Sequence, residues 1–193
     1  MVNSPIKAPT MTLTSGPVAI YPRVQEALSR PVPYDYDPYF LNFYEQICLK
    51  AGRAMQSDRP ALILHAEPAV AIEAAAASLI SANDTVLNLA SGVYGKGFGH
   101  WATRYCKRLT EVEVAYNEAI DPAQVAEALR ANPDVTIVSA VHHDTPSGTI
   151  NPIDEIGAVV KAHGALLLVD AVSSFAGMDV HPDGCAADIF ITG

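Results

Sequence analysis

An aspartate that closes an apolar strand must be compensated. Asp170 ends the run LLLVDAVSS, where a carboxylate leaves water and needs a cation, N–H donors or a metal to offset the loss. A protonated pyridine nitrogen is one such cation, and a ring kept protonated draws electrons from the bonds beside it. A turn-capping aspartate or a metal ligand explains this run equally well when it is taken alone. Tyr94, in SGVYGKGFG, can lie flat over a heteroaromatic ring; a surface-loop tyrosine is the plainer alternative. Lys96 in the same run suits an anion or solvent. Thr145, in HHDTPSGT, offers a hydroxyl to a ring hydroxyl or to Asp170, although Asp144-Thr145-Pro146-Ser147-Gly148 is also good turn chemistry. Ser173 and Ser174 suit a phosphate or the backbone alike. His142 and His143 are adjacent, so they point to opposite faces of an extended chain. That disfavours a shared metal, and hydrogen-bonded structural histidines are the simpler reading.

The elements that must position these residues follow from the hydrophobic pattern. From about residue 60, short β-rich runs alternate with helical runs. ALILHA (61–66) reads as a buried strand, VAIEAAAASLIS as a helix and TVLNLA (85–90) as the next strand. A glycine-rich loop, Ser91 to Gly99, then leads into a helix through Trp101 and Tyr105. EVEVAY (111–116), VTIVSAV (135–141), ALLLVD (165–170) and DIFITG (188–193) read as further strands. Asp121-Pro122 and Asn151-Pro152 each pair a cap residue with proline, opening two more helices, and Gly164 ends the second. Such alternation gives an α/β fold with a mainly parallel sheet and helices on both faces. Ligands then sit at the carboxyl ends of strands, here His65 to Glu67, Ser91 to Tyr94, His142 to Thr145 and Asp170 to Ser174.

Residues 1–60 read as an N-terminal arm with a short helix over Pro22–Leu28 and a longer one over Phe40–Met55; residues 61–193 read as a partial large α/β domain. Gly193 follows a buried strand directly, which suggests a fragment. The net charge of −9 disfavours a nucleic-acid partner, which needs a basic face. Cys48, Cys106 and Cys185 are odd in number and widely spaced, as in a reduced cytoplasmic protein. MVNSPIKAPTMTL lacks a signal-peptide pattern. The apolar stretch Ala69 to Ile80 is too short for a membrane span. No GxGxxG fingerprint marks a nicotinamide-binding domain.

LLLVDAVSSFAG, HHDTPSGT, LASGVYGKGFG and SGPVAIYPRV together resemble the class-V aminotransferases, whose large domain has fold type I. The resemblance implies that Asp170 pairs with the pyridine nitrogen of a B6 ring and that Tyr94 stacks on one face. Val172 would pack on the other face, and Thr145 would bind near the ring hydroxyl. It places the Schiff-base lysine a few residues after Gly193. Arg23, Arg30, Arg53, Arg59, Arg104, Arg108 and Arg130 carry no motif for a keto-acid carboxylate, so that arginine is also expected beyond this chain. The implied partners are a small amine and a 2-oxo acid, and the implied assembly is a homodimer or homotetramer.

One place departs from that family. Phosphate-binding members have small residues after the first strand, where backbone N–H groups and the helix dipole hold the anion. Here the sequence is Leu64-His65-Ala66-Glu67-Pro68-Ala69. Pro68 has no N–H to give, and Glu67 sets a negative charge where a phosphate would sit. The departure suits a ring with a neutral hydroxymethyl group whose hydrogen bond Glu67 accepts; the alternative is that Glu67 only caps its helix. With YDYDP and HAEP it resembles the branch that converts free pyridoxamine and pyruvate to pyridoxal and alanine in vitamin B6 degradation. Pyridoxal or pyridoxamine would then be a bound substrate. A pyridoxal-phosphate enzyme using alanine or serine with glyoxylate is the alternative, and a non-enzymatic ligand-binding module a third reading.

Overall fold

Strand β1 (Thr85–Ala90) is buried along its whole length, as a strand covered on both faces must be. The structure, a computed structural model, describes residues 13–16 and 18–193; residues 1–12, which hold Lys7 and nearly all of the segment MVNSPIKAPTMTL, and Pro17 lie outside the described residues. The remaining strands are β2 (Arg108–Glu113), β3 (Val135–Val141), β4 (His143–Asp144), β5 (Thr149–Ile150), β6 (Leu166–Asp170) and β7 (Ile189–Ile191). Five of them form one parallel sheet in the order β2-β1-β3-β6-β7, and β4 pairs with β5 in a small antiparallel hairpin. The helices are α1 (Pro22–Leu28), α2 (Pro38–Ala54), α3 (Pro68–Leu79), α4 (Gly92–Ala102), α5 (Pro122–Ala131) and α6 (Ile153–His163). One compact unit ends at Phe43, and a second, Tyr44–Gly193, holds the sheet.

Alternation along the strands divides the core. Leu87, Leu89, Val138, Leu167 and Val169 pack with Val125, Leu129, Ile156 and Val160 of α5 and α6. Val86, Ile137, Leu168 and Ile191 pack with Ala76, Phe98 and Ala102 of α3 and α4. The sheet is thus covered by helices on both faces, as the α/β reading requires. None of the described helices is long and apolar enough to cross a membrane.

Four expectations are corrected. ALILHA is not a strand: no ladder partner holds it, the Ala61 N–H donates to Cys48 of α2, and Leu62 is 96% exposed. A short apolar run does not by itself supply a neighbouring strand. The glycine-rich segment is not a loop but most of α4. Its glycines serve close packing, since a Cβ at Gly95 would meet Val141 at 3.0 Å and one at Gly99 would meet Glu111 at 3.0 Å. The strand expected over 111–116 runs instead from Arg108 to Glu113, paired with β1 residue for residue. Asn151 does not cap α6, whose N-cap is Pro152. Its side chain accepts from the Ile120 N–H and donates to Val141 O, both at 2.8 Å. By contrast Asp121 caps α5 through the Ala123 N–H, and Gly164 closes α6 with φ +90°.

Candidate active site

The strand order reverses between β1 and β3, and such a reversal opens a crevice at the carboxyl ends of the strands. Period-two alternation places Asn88, Ser139 and Asp170 on the same sheet face as Val86, Ile137 and Leu168, under α3 and α4. There a cavity of about 90 Å³ is lined by Asn88, Ser139, Asp170, Tyr94, Ala69 and Ile72, among others. Asp170 and Tyr94, far apart in sequence, therefore share one cavity.

Asp170 has little compensation from the protein. Its Oδ1 accepts the Val172 N–H at 2.9 Å, and no hydrogen bond joins it to Thr145. Burial pushes its carboxyl above the ordinary aspartate range; the Val172 N–H opposes this, and the nearby Asp144 carboxylate adds to it. A ligand cation is what such a group lacks. Among the described residues no cluster of three or more histidines, cysteines or acids is placed to hold a metal ion.

Tyr94 sits in the first turn of α4 and is 56% exposed. Its backbone N–H donates to Asp144 Oδ1 at 2.8 Å. Thr145, next to Asp144, opens the turn of the β4–β5 hairpin. The serines after Asp170 meet imidazoles: His142 Nδ1 lies 2.9 Å from Ser174 Oγ, and His143 Nδ1 contacts Ser173 Oγ. These contacts tie the hairpin to the loop after β6, which is a scaffold role. Burial holds His142 below the usual imidazole range. Lys96 pairs with Glu113.

Glu67 does not line that cavity but stands two residues before Ala69, which does. It is the N-cap residue of α3 but makes no side-chain capping bond, so the helix-capping alternative is not realised. It lines a separate groove of about 810 Å³ together with Pro68, Ala71, Thr192 and Gly193. Helix α3 borders both spaces, with Ala69 and Ile72 on the cavity. A cationic ring suits the cavity beside Asp170. A phosphate at the start of α3 does not suit Glu67 and Pro68.

Sequence reasoning missed Asn88, Ser139 and Asp144. Asn88 donates to Glu111 at 2.9 Å and accepts from Ser139 at 2.8 Å. The available signal was one polar residue set among apolar ones in each of two strands, TVLNLA and VTIVSAV, whose other polar residues, Thr85 and Thr136, stand at or next to the strand starts. Asp144 was hidden by its turn-like neighbours.

The family model for class-V aminotransferases matches residues 67–193. A pyridoxamine–pyruvate transaminase of Mesorhizobium japonicum is 63% identical over 96% of this chain and 47% of its own length. An (S)-ureidoglycine–glyoxylate transaminase of Bacillus subtilis is 31% identical over 94% of the chain and 44% of its own. Among solved structures, a pyridoxamine–pyruvate aminotransferase from Mesorhizobium loti superposes with a TM-score of 0.93 at 62% identity, covering 97% of this chain and 48% of that one. An alanine–glyoxylate aminotransferase from Nostoc sp. gives 0.88 at 25% identity, over 98% of this chain and 50% of that one. The chain spans about half the length of the relatives it matches.

Proposed function

The chain belongs to the class-V aminotransferase family, and from this premise we propose that the complete protein moves an amino group between free pyridoxamine and pyruvate, giving pyridoxal and L-alanine. The observation that carries the choice of an unphosphorylated vitamin is the start of α3. There the Glu67 carboxylate makes no capping bond to the helix and Pro68 offers no N–H. The 63%-identical relative bears the matching name. The alternative, a pyridoxal-phosphate enzyme working with glyoxylate, draws support from the Bacillus and Nostoc relatives, but it would place a phosphate against a carboxylate.

In this reading a protonated B6 ring supplies an electron sink at the carbon that carries nitrogen. Asp170 holds the proton on the ring nitrogen. Tyr94 covers one ring face and Val172 the other, shielding the reacting carbon from water. The Thr145 hydroxyl meets the ring hydroxyl, and Glu67 accepts from the hydroxymethyl group. Proton transfer and keto-acid binding fall to a lysine and an arginine outside these residues. Assembly as a homodimer or homotetramer, cytoplasmic location and a part in vitamin B6 degradation belong to the same proposal.

The test is to assay the complete protein with pyridoxamine and pyruvate, following pyridoxal by absorbance and alanine by chromatography. Stoichiometric formation of both supports the reading. Turnover that requires the phosphorylated vitamin contradicts it.

A further inference from the structure

Asp144 is 0% exposed, yet among the described residues no basic side chain meets its carboxylate. It accepts instead from the Tyr94 N–H at 2.8 Å, the Ser147 hydroxyl at 2.8 Å and the Ser147 N–H at 3.1 Å. The helix it meets does not cap itself. Ser91, the N-cap residue of α4, makes no side-chain capping bond, and its hydroxyl donates to Glu118 O at 3.0 Å. The free N–H groups of a helix start need an acceptor, and a carboxylate there also meets the positive end of the helix dipole. Gly92 makes the approach possible: its φ is +67°, and a Cβ there would stand 2.2 Å from the Asp144 carboxylate.

We propose that Asp144 is a positioning residue for the ring pocket, capping α4 from another strand end and so holding Tyr94 and Thr145 in one frame. The proposal rests on the assignment of Tyr94 to a ring face. Asp144 acts through the backbone of α4 and touches no substrate. Its charge is compensated by N–H and O–H groups, which pull its carboxyl below the ordinary range although burial opposes them. Without that cap the first turn of α4 frays, and the tyrosine ring loses its fixed height over the cavity.

The experiment is a double-mutant cycle in the complete protein, read as the pyridoxal dissociation constant. Asp144→Ala, Asp144→Asn and Gly92→Ala are each made alone and together with Tyr94→Ala, with far-ultraviolet circular dichroism to confirm folding. The expected result is roughly a tenfold loss of affinity for Asp144→Ala, a smaller loss for Asp144→Asn, and less than about a twofold further loss once Tyr94 is alanine. Gly92→Ala pushes the carboxylate off α4 without substituting Asp144 itself, so its loss must also vanish in the Tyr94→Ala background. It keeps the test decisive if Asp144→Ala does not fold. Fully additive losses, with Tyr94→Ala itself impaired, overturn the proposal alone. Unimpaired binding by Tyr94→Ala overturns both the proposal and the ring-face assignment beneath it.

Discussion

Asp170 and Val172 are joined within one turn, the Val172 N–H donating to Asp170 Oδ1 at 2.9 Å. The residue assigned to the ring nitrogen and the residue assigned to a ring face are thus fixed relative to each other by backbone. Neither can move without the loop after β6, which the His142–Ser174 and His143–Ser173 contacts fasten to the hairpin.

Replacing Asp170 by asparagine separates function from stability. In the complete protein Asp170→Asn should lower kcat by at least about a hundredfold, the usual scale for losing one preorganised electrostatic contact. The ligand-free variant should melt higher than wild type at neutral pH. Burial raises the folded-state carboxyl pKa, so the stability linked to Asp170 is present below the unfolded pKa and lost as pH rises through the folded one. The gap in melting temperature should therefore close as the pH is lowered into the carboxylate range. Near-normal turnover, or a variant less stable at neutral pH, would contradict the assignment.

Much of this arrangement was legible in the sequence. The strands over TVLNLA and VTIVSAV coincide with β1 and β3, because continuous apolar runs bounded by turns have few other uses in an α/β chain. Pairing Asp170 with Tyr94 was also within reach, since one ends and the other follows a strand that the topology sets near one crevice. Other features depend on three-dimensional neighbours. The glycines of α4 look like loop residues until the sheet beneath them shows why side chains cannot fit. Asp144 looks like a turn former until its partner is found on a helix distant in sequence. Residues 61–66 have the composition of a strand but no strand beside them.

The lysines of this chain should stay unlabelled. Lys96 Nζ lies 2.5 Å from Glu113 Oε2, and that hydrogen bond raises its pKa, which keeps the amine protonated and a poor nucleophile. Lys50, Lys107 and Lys161 are exposed and do not line the cavity. Borohydride reduction of the complete protein with pyridoxal, followed by peptide mapping, should find no adduct on these four or on Lys7. Stoichiometric label on any of them would place the reactive amine within residues 1–193.

On the proposed reading the site takes the vitamin without its phosphate, and Glu67 decides it. The phosphate ester carries close to two negative charges at neutral pH, its second pKa being about 6. Glu67 is exposed, so solvent weakens the repulsion but does not reverse it. Paired equilibrium titrations of the complete protein with pyridoxal and with pyridoxal phosphate, followed by absorbance, measure the effect directly. Wild type should favour pyridoxal by at least about tenfold, and Glu67→Ser should weaken pyridoxal while strengthening the phosphate ester. Equal affinity of wild type for the two ligands would contradict the free-vitamin reading and favour a pyridoxal-phosphate enzyme, whereas a Glu67→Ser variant that leaves their ratio unchanged would contradict the role given to Glu67.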